Sequence, residues 1–401
     1  MPTHHTHHCP TPPDAELDLD RTAPLRYDVA WPDGAERPGL ILLIPGFGQD
    51  NDDGYLQAFR GWVAERFGLA CLTVRYHGSL NRPAQGAERQ FAQPDLVRLA
   101  QTCIQHGIPW PEPPANLDLM QMLGRLDHAH NQRNAQAQAR GEEPESVILT
   151  CGLRCPDGPI NLGLPQALDH LAALADLRSR HAYDPANVIA LGSSHGGYLA
   201  QLINKLAPNT LRAVFDNSGY ADPPLRYIDS RSANAGPDFF ETHSPTFRFA
   251  YYLMSAWTHE PGQANTYHED AHAIRNLAHP AHLKASLAAA ERRVVIRCIH
   301  APDDPIAPTD EKQAFVELLK QHGVDATLRI ATPEDVDGRF IKSLDHGLGL
   351  SLRKFFQSEY EALPPFHSDH RDDAVRCTQL EFGGVGASRI LKHTPDGIAF
   401  E

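Results

Sequence analysis

The feature that most constrains the fold is a short apolar strand that runs directly into a Gly-x-Ser-x-Gly motif. Residues 188–191 are Val-Ile-Ala-Leu, and a helical stretch follows the motif. The motif is formed by Gly192, Ser194 and Gly196. A serine on a sharp turn from strand to helix has a strained backbone, so its neighbours must be small. Gly197 also lets the helix pack closely on the sheet. The pattern predicts that the Ser194 hydroxyl projects above a sheet, at the positive end of a helix.

Strands that alternate with helices predict an α/β fold with a doubly wound, mostly parallel sheet. An antiparallel edge strand is predicted at residues 25–31, and buried strands at residues 40–44 and 69–74. Further strands are predicted at residues 188–191, 211–215, 294–299 and 326–331. The main domain is expected over residues 25–363, with a helical insertion at 78–146 and an aromatic cap at 221–290. Residues 364–401 would form an extension of unknown role.

The composition argues against several classes of function. The chain has 401 residues, of which 41% are hydrophobic, so it is long enough for one large α/β domain. Its formal net charge of −14 argues against nucleic acid and against an anionic membrane surface as partners. No stretch approaches the ~18 apolar residues of a membrane span. No glycine-rich phosphate loop follows an early strand, so no nucleotide cofactor is expected. No metal is expected either.

The cysteines and the start of the chain indicate a cytoplasmic setting. Of seven cysteines, the only close pair is Cys151 and Cys155, separated by three residues rather than the two of a redox or zinc motif. The polar start is not a signal peptide, and residues 1–24 are expected to form a disordered tail rich in histidine and proline. The four histidines between residues 4 and 8, followed by Cys9, also suggest a metal-binding tract, but the neighbouring prolines favour the tail.

A serine hydroxyl is a weak nucleophile near neutral pH and needs a base, which in turn needs an acid to orient it. In an architecture of strand, sharp turn and helix, the order along the chain is serine, acid, histidine. Asp304 follows the strand at 294–299 and precedes Pro-Ile-Ala-Pro, so it is the predicted acid, with Asp303 as the competing candidate. His346 lies in a glycine-flanked loop after the last strand and is the predicted base.

The negative charge that develops on a carbonyl oxygen under attack needs two backbone N–H donors. We expect one from His195, the residue after the nucleophile. The other is expected from Phe47, in the glycine-containing loop after the strand at 40–44. The side chains of both residues are expected to be incidental to that role.

These residues resemble the α/β-hydrolase superfamily over residues 25–363, and the run Gly-Ser-Ser-His-Gly-Gly-Tyr is similar to elbows of its prolyl-oligopeptidase-like branch. A longer resemblance is to a bacterial family catalogued as domain of unknown function 2920 (DUF2920). It is carried by Ile-Pro-Gly-Phe-Gly at 44–48 and by residues 76–77, 81–83, 192–199, 216–221, 223–228, 337–342 and 344–347. The resemblance implies the α/β-hydrolase fold and the roles of Ser194, Asp304 and His346. The His-rich start and the tail after Pro364 look like additions to it.

The predicted function is that of a serine hydrolase that cleaves an ester or other acyl bond of a small-molecule substrate through an acyl-enzyme. The resemblance also points to a carbohydrate-linked ester. An acyltransferase with the same three residues, a serine peptidase and a non-catalytic binding module on this scaffold are the alternatives, and the oligomeric state is left open. Candidate substrate contacts, each equally compatible with a structural role, are His77, Asn81, Arg82, Asn217, Tyr220, Arg226 and Tyr227.

Overall fold

The structure, a computed structural model, describes residues 1–14, 16–111, 118–365, 372–373, 378–382, 389–394 and 397–400. The chain divides into two compact units. The first consists of Met1–Leu80, Ile160–Pro224 and Ala256–Glu401, and the second of Asn81–Pro159 and Leu225–Ser255. Within the described ranges, every helix is too short or too polar to span a lipid bilayer.

The described residues form strands and helices in the following order along the chain. The strands are β1 (Thr3–Cys9), β2 (Leu25–Trp31), β3 (Leu40–Ile44), β4 (Ala70–Val74), β5 (Glu88–Gln90), β6 (Val147–Arg154), β7 (Val188–Ser193), β8 (Ala213–Asn217), β9 (Phe239–Ser244), β10 (Phe247–Leu253), β11 (Val295–His300), β12 (Asp325–Ile330), β13 (Gln379–Phe382), β14 (Arg389–Thr394) and β15 (Gly397–Phe400). The helices are α1 (Gly54–Phe67), α2 (Gln93–Gln105), α3 (Leu119–Ala139), α4 (Leu164–Arg180), α5 (His195–Leu206), α6 (Leu225–Ile228), α7 (Glu269–Arg275), α8 (Pro280–Ala289), α9 (Thr309–Gln321) and α10 (Leu352–Glu361).

The first unit is built on an eight-stranded sheet with the order β1-β2-β4-β3-β7-β8-β11-β12. β1 and β2 are antiparallel to their neighbours at one edge, and the remaining strands run parallel to one another. Every residue of β3 is apolar and buried, as expected for a strand covered on both faces. The predicted α/β fold with an antiparallel edge is confirmed. Since β7, β8 and β11 are parallel neighbours, the loops that follow them meet at one edge of the sheet.

Residues 1–14 and 16–24 correct the expectation of a disordered tail, because they fold as part of the first unit. All seven residues of β1 pair antiparallel with β2. Further along, the buried Arg21 guanidinium donates to both carboxylate oxygens of Asp169 on α4, at 2.7 and 2.8 Å. The histidine and proline content suggested disorder, but the partners that order this segment are an edge strand and a helix distant in sequence, which a local pattern does not report.

The second unit corrects the boundaries expected for the insertion at 78–146 and the cap at 221–290. It contains the four-stranded sheet β5-β6-β10-β9, in which β6 pairs parallel with β10 from the other predicted segment. This long-range pairing joins the two into one unit, whereas α7 and α8, expected in the cap, belong to the first unit. Phe247, Phe249 and Tyr251 alternate along β10, a period of two that indicates a strand and that the interpretation as an irregular cap overlooked.

The described part of the extension after Pro364 forms a small antiparallel sheet of β13, β14 and β15. Asp373 connects the extension to the rest of the first unit. Its carboxylate accepts hydrogen bonds from the Asn209 N–H at 2.8 Å and from the Thr210 hydroxyl at 2.9 Å. The extension therefore supplies buried hydrogen bonds to the loop that follows α5.

A buried ion pair holds the end of β8. Lys312 on α9 donates to a carboxylate oxygen of Asp216 at 2.7 Å, and neither side chain is exposed to solvent. The other oxygen of Asp216 accepts the Gly219 N–H at 2.8 Å. A Cβ on Gly197 would lie 2.2 Å from that same oxygen, so only glycine fits where α5 meets this carboxylate. The pair therefore fixes the end of β8 against the start of α5.

Replacing Lys312 by methionine leaves the Asp216 carboxylate buried without its cation. We expect Lys312→Met to lower the free energy of unfolding by about 3–5 kcal/mol. Lys320→Met is the matched control, because Lys320 lies on the same helix with its side chain 48% exposed, and its effect should stay within about 0.5 kcal/mol. Urea denaturation of both variants measures the difference, and equal stabilities would contradict this role for the ion pair.

Candidate active site

Ser194 lies on the turn between β7 and α5 in a conformation that side-chain-bearing residues rarely adopt, with φ of 56° and ψ of −125°. The chain has no room for a larger neighbour on either side. A Cβ on Gly192 would lie 2.1 Å from the Gly196 carbonyl oxygen, and a Cβ on Gly196 would lie 2.1 Å from the Ile44 carbonyl oxygen. The two glycines of the motif are therefore required by close backbone contacts around the serine.

Ser194, His346 and Asp304 form a continuous chain of hydrogen bonds. The Ser194 Oγ lies 2.7 Å from His346 Nε2, and His346 Nδ1 lies 2.7 and 2.9 Å from the two carboxylate oxygens of Asp304. A carboxylate can only accept, so Nδ1 carries the proton and the neutral ring accepts the serine hydroxyl proton at Nε2. Side chains arranged in this way have the geometry that a nucleophile, a base and an orienting acid require.

Asp304, and not Asp303, is the acid that the structure brings to His346. Asp304 is buried and also accepts the Ile306 and Ala307 N–H groups at 2.9 and 3.0 Å, whereas Asp303 is exposed. Burial raises the pKa of the Asp304 carboxyl, but the hydrogen bonds from His346 and from Ala307 and Ile306 outweigh it, and the net shift is downward. Asp304 is therefore held as a carboxylate beside the imidazole.

The loop that carries His346 is fastened to the end of β8 through the backbone of Gly347. The Asn217 side-chain amide donates to the Gly347 carbonyl oxygen at 3.1 Å and to the Ser193 hydroxyl at 2.9 Å. The Ser218 hydroxyl accepts the Gly347 N–H at 3.2 Å. Asn217, a predicted substrate contact, is only 2% exposed. These bonds favour a structural role for Asn217, in which it positions the His346 loop, over a substrate contact.

The loop that carries Phe47 is closed by bonds of its own. The Gln49 side-chain oxygen accepts the Gly46 N–H at 3.0 Å, and the Gln49 N–H donates to the Gly46 carbonyl oxygen at 3.2 Å. The Tyr76 hydroxyl donates to the Pro45 carbonyl oxygen at 3.2 Å. Neither the Phe47 N–H nor the His195 N–H donates a hydrogen bond to any residue that the structure describes. Both groups are thus available to a ligand oxygen.

The His195 side chain, expected to be incidental, lies in a buried hydrogen-bond network. Its Nε2 is 2.6 Å from the side-chain oxygen of Gln166, and the Tyr220 hydroxyl contacts Nδ1. That Gln166 oxygen also accepts the Gly163 N–H at 2.9 Å, so it is an acceptor and His195 must donate from Nε2. Nδ1 then accepts from Tyr220. Burial, with a smaller contribution from His170, lowers the pKa of His195 to about 3.

The other predicted substrate contacts fall into two groups. His77 and Tyr220 are in the first unit, are 2% and 4% exposed, and make hydrogen bonds within the protein. The remaining four belong to the second unit, namely Asn81, Arg82, Arg226 and Tyr227. There the Arg82 guanidinium lies 3.7 Å from the ring centre of Phe239. A role of these residues in substrate binding stays a prediction.

Sequence reasoning missed Gln166 and Asp216 as residues that support the site. Gln166 lies three residues after Gly163 at the start of α4, and its side chain accepts the Gly163 N–H, as in a capping box. That spacing was readable from the sequence. Asp216 stands in a segment that resembles the DUF2920 family, but its buried partner Lys312 is remote in sequence and gave no signal.

The sequence matches the model of the family described as "Protein of unknown function (DUF2920)" over residues 5–372. The chain belongs to this family. The DUF2920 match begins within β1, which corrects the expectation that the His-rich start is an addition, and it leaves most of the extension after Pro364 outside. None of the curated proteins matches the sequence significantly.

Solved structures that resemble this DUF2920 protein are α/β-hydrolases. The acylaminoacyl peptidase of Pyrococcus horikoshii is 13% identical, with a TM-score of 0.45, over 92% of this chain and 43% of its own. A putative dienelactone hydrolase from Klebsiella pneumoniae is 10% identical, with a TM-score of 0.41, over 90% of this chain and 98% of its own. Esterase 2 of Thermogutta terrifontis is 11% identical, with a TM-score of 0.41, over 89% of this chain and 91% of its own. The chain spans less than half the length of the acylaminoacyl peptidases it resembles.

The low pKa of His195 predicts a loss of stability in mild acid. Its ordinary value is 6.5 and its value in the folded protein about 3, so between these limits the unfolded chain binds a proton that the folded protein does not. Stability from this residue is complete above pH 6.5 and falls as the pH drops, by at most about 1.4 kcal/mol per pH unit. Between pH 7 and 5, His195→Gln should lose about 2 kcal/mol less than the wild type in urea unfolding. Equal losses would contradict a buried, neutral His195.

Proposed function

We propose that this DUF2920 protein is a serine hydrolase that cleaves an ester or a related acyl bond through an acyl-enzyme. The observation that carries the proposal is the unbroken chain from the Ser194 hydroxyl through His346 to Asp304, with 2.7 Å at each junction. This chain stands at the edge of the sheet where parallel α/β folds bind ligands. It supports proton removal from the serine as the substrate carbonyl is attacked.

The reaction has two halves that use the same three residues. In the first, Ser194 Oγ bonds to the carbonyl carbon, His346 Nε2 takes the hydroxyl proton, and that proton passes to the leaving oxygen as its bond to carbon breaks. In the second, His346 takes a proton from water, the water oxygen displaces Ser194, and the proton returns to the serine. Asp304 stays ionised throughout and stabilises the imidazolium, in keeping with its lowered pKa.

The charge on the carbonyl oxygen is proposed to be held by the Phe47 and His195 N–H groups. The two come from different elements of the first unit, the loop after β3 and the start of α5, and the ring centres of Phe47 and His195 lie 5.3 Å apart. Backbone N–H groups fixed before the reaction stabilise this charge without reorganisation, and one such donor is worth about 10²–10³ in kcat. No step of this mechanism uses a metal or a cofactor.

The substrate class, the partners and the cellular compartment are also proposed. A small-molecule acyl substrate, with a carbohydrate-linked ester as the first class to test, follows from the family resemblance. The net charge of −14 supports a partner that is neither nucleic acid nor an anionic membrane surface. The six cysteines that the structure describes are buried free thiols, which supports a reducing, cytoplasmic setting.

A fluorophosphonate probe tests the proposal directly, because it reacts preferentially with an activated serine hydroxyl. We expect one label on Ser194, found by peptide mass spectrometry, and its loss in Ser194→Ala and in His346→Ala. Ser179→Ala is the matched control, because Ser179 is an exposed serine on α4, and it should keep the label on Ser194. The melting temperature of Ser194→Ala should stay close to that of the wild type, because Ser194 is not part of the packed core.

Two results would oppose the proposal. One is a folded wild-type protein that takes up no label. The other is equal labelling of Ser194 in the wild type and in His346→Ala, which would mean that the imidazole does not activate the serine.

A further inference from the structure

We propose that the His195 side chain positions both N–H donors of the oxyanion site, and that a buried network anchored in the N-terminal segment holds this side chain in place. The inference rests on the proposed function, since it concerns how the charged oxygen is stabilised. It makes Tyr220, Gln166 and Arg21 positioning residues. None of them touches the reacting atoms, and each acts through His195.

The imidazole of His195 links the two donors physically. One donor is the N–H of His195 itself, at the first residue of α5. The other belongs to Phe47, whose ring meets the imidazole edge to face, with 5.3 Å between ring centres and 71° between planes. Gln166 and Tyr220 each form a hydrogen bond to one nitrogen of the imidazole. A rotation or shift of this ring would therefore displace both donors together.

From Gln166 the network runs to the N-terminal segment in three bonds. The Gln166 side-chain nitrogen donates to the His77 carbonyl oxygen at 2.8 Å, and the His77 N–H donates to Asp169 at 2.8 Å. Arg21 then pairs with that carboxylate at 2.7 Å, with side chains 5% and 0% exposed. A buried charge requires a partner, so the Arg21 guanidinium fixes the position of the Asp169 carboxylate. Asp169 in turn fixes the backbone of His77, to which Gln166 is bonded.

A second branch leaves the same His77 and reaches the same segment. The His77 Nε2 accepts the Asn161 N–H at 3.0 Å, and the Asn161 amide donates to Asp14 at 2.9 Å and to Glu16 at 3.0 Å. Glu16 forms a two-point ion pair with Arg275 at 2.6 and 2.8 Å, and both side chains are buried. Two buried anchors therefore come from a stretch of chain whose sequence suggested a tail.

A network in which every member is bonded fixes one geometry, because any rotation leaves a polar group buried without a partner. Oxyanion stabilisation depends on such fixed geometry and is felt only in the transition state. Loosening the network should therefore lower kcat and leave KM nearly unchanged. A substrate contact would show the opposite pattern, and Tyr220 was itself a predicted substrate contact, so it is the residue at which the two explanations separate.

Tyr220→Phe is the first variant to make, since it removes only the hydroxyl that donates to His195. We expect kcat for an activated nitrophenyl ester to fall about tenfold, part of the effect of losing one donor outright, with KM unchanged within about twofold. The pH dependence of kcat should keep its shape, because the Asp304–His346 pair is untouched. A rise in KM with unchanged kcat would overturn the proposal in favour of substrate contact.

Arg21→Gln tests the far end of the network. We expect a lower kcat per active site, with active sites counted by the fluorophosphonate label so that misfolded protein does not contribute. Arg21→Lys, which keeps the charge beside Asp169, should restore most of the turnover. Asp20→Asn is the matched control, because Asp20 is exposed and its carboxylate accepts the Thr22 N–H at 3.3 Å within its own turn, and it should behave as the wild type.

The outcomes separate this inference from the proposed function. Wild-type protein that takes no label on Ser194 would remove the proposed function, and this inference with it. Labelled wild type together with normal turnover per site in both Tyr220→Phe and Arg21→Gln would overturn the inference alone. A variant Arg21→Gln with fewer active sites but normal turnover at each would show that the segment serves stability only, and would overturn the anchoring role.

Discussion

The close approach of backbone to backbone at the turn between β7 and α5 is the constraint on which the rest of the first unit depends. Gly192 and Gly196 contact carbonyl oxygens at distances that exclude any side chain, and Ser194 between them takes a backbone conformation that is costly outside such a setting. The turn persists because neighbouring strands hold it: Ser194 donates its N–H to the Asn217 carbonyl oxygen at 2.7 Å. The serine is thus presented by the sheet itself, and not by a mobile loop.

Around this turn the protein uses buried charge and hydrogen bonds where an apolar core would be the simpler choice. Lys312–Asp216, Arg21–Asp169 and Glu16–Arg275 are ion pairs with side chains at most 5% exposed. Burying such pairs is expensive, and they add little to stability compared with well-packed apolar side chains. They do fix the positions of the elements that carry them, because each buried charge must stay within bonding distance of its partner. This is the property that the proposed acyl transfer needs, since the N–H donors must be in place before the oxygen becomes charged.

Local motifs, and the order of the site residues along the chain, could be predicted from the sequence. Contacts between residues far apart in the chain could not. The turn at Ser194, and the order of Asp304 and His346 after their strands, were readable because parallel strands bring the ends that follow them to one edge. The catalytic roles of these residues stay predictions. The N-terminal strand, the pairing of β6 with β10 and the support of His195 by Gln166 depend on partners far away in the chain. Composition alone, as in the His-rich start, indicated the wrong state because it carries no information on such partners.

In the proposed mechanism Ser194 forms a covalent acyl intermediate, which water then hydrolyses. The most direct measurement is rapid mixing with an activated ester, acid quenching at successive times, and mass spectrometry of the intact protein and its peptides. The proposed mechanism predicts one acyl group on the peptide that contains Ser194, formed in a burst and lost as free acid appears. An ester consumed with no acyl group on Ser194, or with the group on another residue, would contradict it.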